Sequence, residues 1–159
     1  MAWEVFEVYD GVLEKYKGKD EDVRIPSIVK EIYPSALSCN PYIKKVIVPE
    51  GVTVIRKSAF LFSDNLEEVE LPSTLTRIET CAFYGTGLKS IVLPESLQFI
   101  GRAIFDECRQ LEEIVYTGTV EKFNTIEFEN RYAAYRLTNT KTKMIQCADG
   151  IVDMKSQWN

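Results

Sequence analysis

The stretch Val46-Ile47-Val48-Pro49 decides the fold, because the chain repeats its pattern. It occurs as Val23-Arg24-Ile25-Pro26, Val69-Glu70-Leu71-Pro72 and Ile91-Val92-Leu93-Pro94. The prolines at 26, 49, 72 and 94 are separated by steps of 23, 23 and 22 residues. Self-similarity at such a period marks a solenoid, in which one unit cannot enclose its own apolar side and must stack on its neighbours.

Each unit can be laid over the next. An aliphatic stands at Ile43, Leu66, Leu88 and Leu111. The next apolar column is Val46, Val69, Ile91 and Ile114, and a third is Val48, Leu71, Leu93 and Tyr116. Alternate residues of a strand face opposite sides, so Val69 and Leu71 are expected in the core and Glu70 in water. Proline offers no amide hydrogen and ends the pairing there. Beyond it, apolar residues recur at 29, 52, 75 and 97 and again at Ile32, Ile55, Ile78 and Ile100, giving a second apolar wall. Pairs then follow: Ala36-Leu37, Ala59-Phe60, Ala82-Phe83 and Ile104-Phe105. The Phe of one coil is expected to stack on the Phe of the next.

The string from Ile55 to Pro72 reads I-x-x-x-A-F-x-x-x-x-x-L-x-x-V-x-L-P. It resembles the BspA-like bacterial leucine-rich repeats, over residues 20–116. The tail Tyr116-Thr-Gly-Thr119, Glu121-Lys-Phe-Asn124 and Ile145-Gln-Cys-Ala-Asp-Gly150 is similar to the segment that often closes such arrays. Phe123 stands where tryptophan is usual there, and Ile104 where alanine is usual in the repeat. The resemblance implies an α/β-type solenoid, mainly β: a right-handed leucine-rich-repeat coil stack with a parallel sheet, an N-terminal hairpin cap and a C-terminal cap. It implies protein binding, often at a bacterial surface, and carries over no catalytic residue.

At 159 residues, 45% of them apolar, the chain reads as one domain. Residues 1–19 are the N-terminal cap hairpin, 20–116 the repeats and 117–159 the C-terminal cap. Asp10-Gly11 between apolar alternations signals the hairpin, which is expected to cover the open end of the first coil. Thr119 is the expected N-cap of a short helix carrying Val120, Phe123 and Ile126. Residues 127–143 are the least legible, with a polar turn or loop over Thr138–Thr142. A last strand is expected over Lys143–Cys147, and a frayed end from Met154 to Asn159.

The net charge of −5 argues against general nucleic-acid binding, which needs a positive field. Arg131, Arg136, Lys141 and Lys143 form a late basic cluster, read as a solvated edge of the cap rather than an anion site. No signal-like start and no apolar run of membrane length occur, so the chain as it stands is expected in the cytoplasm. A piece of a longer protein would instead belong at the cell surface or outside. Cys39, Cys81, Cys108 and Cys147 show no metal-ligand spacing, and the chain has no histidine. Cys39, Cys81 and Cys108 read as small packing residues, buried or half-buried, with reduced thiols.

Without histidine the usual general base is missing, and no cofactor, metal or catalytic site is expected. Gly85-Thr86-Gly87 lies where one residue is missing and reads as a tightened corner, not a nucleotide loop. Glu67, Glu68, Glu70, Glu112 and Glu113 read as a solvated acidic face. The candidate protein-binding residues are the outward strand positions: Arg24, Lys45, Ile47, Glu68, Glu70, Ser90, Val92, Glu113 and Val115, with Asp22 beside Arg24. Ile47, Val92 and Val115 are expected to form an apolar stripe interrupted by Glu70. The function read from these features is a non-catalytic protein-interaction module with a protein partner. The alternative is a structural or self-associating, homo-oligomeric repeat protein of surface or adhesion type.

Overall fold

A computed structural model describes residues 2–138 and 141–156. It begins with a 3-10 helix, Ala2–Val5, and a hairpin of β1 (Phe6–Tyr9) and β2 (Val12–Tyr16). Asp10 and Gly11 turn the hairpin with φ of 47° and 76°. Both φ values are positive, as the tight hairpin turn requires, and Gly adopts this at no steric cost.

Each coil then lays down one strand on either side. On the front wall these are β3 (Asp22–Arg24), β5 (Lys45–Ile47), β7 (Glu68–Glu70), β9 (Ser90–Leu93) and β11 (Glu113–Tyr116). On the back wall they are β4 (Glu31–Ile32), β6 (Val54–Ile55), β8 (Arg77–Ile78), β10 (Phe99–Ile100) and β12 (Glu127–Phe128). The short helices α1 (Val120–Phe123) and α2 (Arg131–Tyr135) and the hairpin β13 (Ile145–Gln146) and β14 (Ile151–Val152) complete the tail. The fold is mainly β, a solenoid as the period predicts.

The columns align as their spacing requires. Val23 lies opposite Val46 and Val46 opposite Val69. Ile91 lies opposite Ile114, and Ile114 opposite Ile145. On the back wall Ile32, Ile55, Ile78, Ile100 and Phe128 are in register. The back wall is thus itself a parallel sheet, of two-residue rungs, which the sequence shows only as an apolar wall. Between the walls Phe60, Phe83 and Phe105 stack: centroids are 5.1 Å and 5.9 Å apart and the planes 7° and 28° off parallel. One apolar cluster runs from Leu13 to Met154. Met154 is therefore packed where a frayed end was expected, and residues 157–159 lie outside the described residues, as do 139 and 140 of the expected polar loop.

The turns repeat as well. The carbonyls of Pro26, Pro49, Pro72 and Pro94 accept from the N–H of Val29, Val52, Leu75 and Leu97 at 3.0, 3.3, 3.2 and 3.1 Å. Each coil then carries two left-handed residues: Ser35 and Cys39, Ser58 and Phe62, Cys81 and Gly85, Ala103 and Glu107, with φ between 52° and 69°. This conformation is costly for residues with a Cβ. Coil-to-coil backbone bonds hold it, among them Phe60 N–H to Ala82 O at 2.8 Å and Phe62 N–H to Tyr84 O at 2.9 Å. Cys39 is consequently exposed at a corner, not the packing residue its position suggested. Cys81 is half-buried and Cys108 buried, as expected of them.

The caps close the stack unevenly. Strand β2 pairs with β4 and extends the back wall to seven strands, so the hairpin covers that edge alone. Strand β3 remains an edge of the front wall. At the other end Thr119 accepts from Lys122 N–H at 3.1 Å and caps α1, with Phe123 and Ile126 buried. Strand β13 is shorter than expected, and its antiparallel partner β14 was not foreseen.

Candidate functional site

The front wall is not one continuous sheet. Strands β3, β5 and β7 form one sheet; β9, β11, β13 and β14 form another. The break falls between β7 and β9, across the one coil that is a residue short. Lys89 N–H still reaches Glu67 O at 3.3 Å before the strands part. Elsewhere the strands stay bonded to their proline ends: Ile25 N–H to Ile47 O at 3.1 Å, Val48 N–H to Glu70 O at 3.0 Å and Thr117 N–H to Leu93 O at 3.0 Å. Among the described residues, no such bond joins Leu71 to β9.

A groove of 470 Å³ lies along this break. Glu68, Glu70 and Leu71 line it from one side, Ser90, Val92 and Pro94 from the other, and Glu50, Ser73 and Thr117 at its proline end. Glu50 is held there by Ser73, whose N–H and hydroxyl donate to it at 2.9 Å each. Lys45 pairs with both Glu68 and Glu70 from beside the groove, so Glu50 is the lining carboxylate with no ion pair among the described residues.

The outward residues are placed as follows. Asp22, Lys45 and Glu68 stand in one row, and Arg24, Ile47 and Glu70 in the next. Beyond the break, Ser90 faces Glu113, and Val92 faces Val115. The Lys45 ammonium sits 2.7 Å from both Glu68 and Glu70. Its hydrogen bonds to those two carboxylates push its pKa up to about 12. Ile47 and Val115 are half-buried, and only Val92 is well exposed, at 50%. The expected stripe thus has one exposed aliphatic, and Ile47 is cut off from it by both Glu70 and the gap.

Four candidates, Glu68, Glu70, Ser90 and Val92, meet in the groove. Arg24, Lys45 and Ile47 instead line a second groove, of 480 Å³, against Phe6, Tyr16, Asp20 and Asp22 at the free edge of β3. Glu113 and Val115 line neither. Sequence reasoning missed Glu50, Leu71, Ser73, Pro94 and Thr117, which lie off the outward strand positions. The step of 22 residues was the available signal.

Among the described residues, no group of three or more His, Cys, Asp or Glu side chains is placed to hold a metal ion. Among them also, no helix is long and apolar enough to cross a membrane. Burial pushes the thiols of Cys81, Cys108 and Cys147 up. Cys108 Sγ contacts the Phe83 carbonyl oxygen at 3.0 Å and the Thr86 hydroxyl at 3.3 Å, which suits packing rather than nucleophilic attack.

The chain is similar to several solved structures. With the pneumococcal vaccine antigen PcpA it shares 30% identity over 70% of this chain and 28% of that one, at a TM-score of 0.66. With the leucine-rich repeat protein of T. pallidum it shares 29% identity over 79% of this chain and 61% of that one, at a TM-score of 0.70. With a leucine-rich repeat protein from Bacteroides capillosus it shares 25% identity over 71% of this chain and 93% of that one, at a TM-score of 0.63. The chain thus spans about a quarter of the first of these and three fifths of the second. No curated protein matches it. The profile of the BspA-type leucine-rich repeat region, six copies, matches residues 30–145. Together with the stacked coils and their aligned apolar columns, this places the chain in the BspA-type leucine-rich repeat family.

Proposed function

We propose that the chain is a non-catalytic protein-binding module whose docking surface is the front wall, centred on the groove between β7 and β9. The observation that carries this reading is the interrupted sheet. It gives the middle of the face a concave feature, with Glu50, Glu68 and Glu70 set against Leu71, Val92 and Pro94. Concave sites that join an apolar wall to a few placed polar groups are where recognition concentrates. The chemistry selects a partner segment that offers a basic side chain to Glu50 and an apolar one to Val92, because Lys45 already neutralises Glu68 and Glu70 in part. Arg24, Lys45, Ile47, Glu113 and Val115 form the flanks of this surface. Membership of a repeat family commonly used for protein interaction supports the reading.

The test is affinity capture from the native host with wild type and with Ser90→Arg combined with Val92→Asp. Both positions are exposed, so the double variant is expected to keep its melting temperature and to lose the captured protein. Equal recovery by the two forms rejects the groove as the site. Capture should also weaken as salt rises, because exposed charge pairs are screened.

A second reading, self-association, rests on the two uncovered edges of the front wall. Strand β3 ends one sheet and β14 the other, with Ile151 exposed at 63%. Unpaired strand edges are templates for a further chain. Light scattering that finds a monomer at high concentration removes this reading.

A further inference from the structure

A cavity of 560 Å³ lies between the last complete coil and the C-terminal tail. Its walls carry the cations Arg109, Arg136, Lys141 and Lys155 against the two carboxylates Asp106 and Glu107. The surplus of positive charge is local, in a chain whose net charge is −5. Of the late basic cluster, Arg136 and Lys141 line the cavity; Arg131 and Lys143 do not.

Lys141 also pairs with Glu112 at 4.0 Å, and the spare cationic capacity lies on Arg136 and Lys155. Arg136 meets Asp106 through Nε alone, at 3.0 and 3.2 Å. Arg109 meets Glu107 through Nε at 3.1 Å and Nη2 at 2.8 Å. Lys155 forms no ion pair among the described residues. A guanidinium has five donors in a fixed fork, suited to bidentate capture of a phosphate or carboxylate.

The second observation is independent of charge. Thr138 lines the same cavity and is 5% exposed, and its hydroxyl oxygen has no hydrogen-bond partner among the described residues. A buried polar atom in that state is rare and calls for a missing partner. A hydroxyl can donate to an anion's oxygen without adding charge. Phe105 and Cys108, both buried, line the cavity beside it.

From this arrangement we propose that the cavity binds a tetrahedral oxyanion, the phosphate or sulfate group of an ester. Arg136 and Lys155 contribute the charge and Thr138 a neutral donor. The volume exceeds that of a bare ion, and a group of monosaccharide size fits with it. Tyr135, half exposed at the rim, offers that group a ring face. This ligand is separate from the protein partner proposed above, and the site lies outside the groove between β7 and β9.

The test is calorimetric titration of the full chain with glucose 6-phosphate, glucose 6-sulfate and glucose at constant ionic strength. One or both esters are expected to bind, with glucose silent, and the better ester identifies the source of the anion. Thr138→Val and Lys155→Gln are each expected to weaken that binding on the order of tenfold, the size of one charge-assisted hydrogen bond. The ligand-free melting temperature of Thr138→Val should hold or rise, since an orphaned hydroxyl is removed. Failure of both esters to bind, or equal affinity in wild type and both variants, overturns the proposal.

Discussion

Phe60 and Phe83 lie ring over ring, 5.1 Å between centroids and 7° from parallel, although 23 residues of chain separate them. Phe83 also contacts Phe105, so one ring joins three coils. Phe83→Ala removes two ring contacts and leaves a cavity at the centre of the stack. The expected cost is about 3–5 kcal/mol, read from urea unfolding. A loss under about 1 kcal/mol contradicts the packing described.

A buried hydroxyl marks the same coil. Ser63, fully buried, donates to the Leu37 carbonyl oxygen at 2.6 Å and accepts from Asn40 N–H at 3.2 Å. Ser63→Ala strands both backbone groups without removing much volume. The expected loss is about 1–3 kcal/mol. A Ser63→Thr variant, which keeps the hydroxyl, should recover part of it; failure of alanine to destabilise at all refutes the bridge.

The shortened corner makes a sharper claim. A Cβ at Gly87 would lie 2.4 Å from the Asp64 carbonyl oxygen. Backbone cannot yield as a flexible side chain can. Gly87→Ala is therefore expected to cost about 1–3 kcal/mol through overpacking, measured by chemical denaturation against wild type. Unchanged stability shows that the close approach is absent.

Tyr16 sets an alkaline limit. Its hydroxyl donates to Asp20 Oδ2 at 2.9 Å and accepts from Asp20 N–H at 3.3 Å. Burial first, and the bond to the carboxylate second, push the phenol from 10.0 to about 12. Below the unfolded value both states keep the proton, and this contribution is complete. Between the two values only the unfolded chain ionises, so stability falls as pH rises from about 10 toward 12. Tyr16→Phe should give a shallower alkaline slope in urea midpoints, with Tyr116 and the thiols of Cys81, Cys108 and Cys147, also raised by burial, contributing to what remains. An identical slope in the variant excludes Tyr16 as the source.

The thiols should separate by rate. Cys39 is exposed, while burial raises the pKa of Cys81, Cys108 and Cys147. The thiolate is the reactive form. Iodoacetamide at neutral pH is expected to label Cys39 first and Cys108 last, followed by peptide mass analysis. Comparable rates at Cys39 and Cys108 contradict these placements.

The columns at Val46, Ile55 and Phe60 were legible because stacking forces one residue type to recur at one interval. The left-handed corners were not. Ser35, Ser58, Cys81 and Ala103 share one backbone conformation yet carry no common side chain to announce it. The turn at Asp149-Gly150 repeats the dipeptide of Asp10-Gly11, but two-residue strands give no alternation to frame it. The groove was hidden for a different reason. Apolar period reports which side chains stack, and the ladder between strands depends on how far apart successive coils run. One absent residue near Gly87 was visible; its effect on the bonding of Leu71 was not. Thr138 likewise reads as an ordinary loop residue until its surroundings are known.

The parting of β7 from β9 leaves the molecule with a seam on one side only. The rear rungs still bind β8 to β10, so tension applied between the two ends would not share evenly across the stack. The front would gape first, hinging about the rear, and the crack would start at the coil that is one residue short.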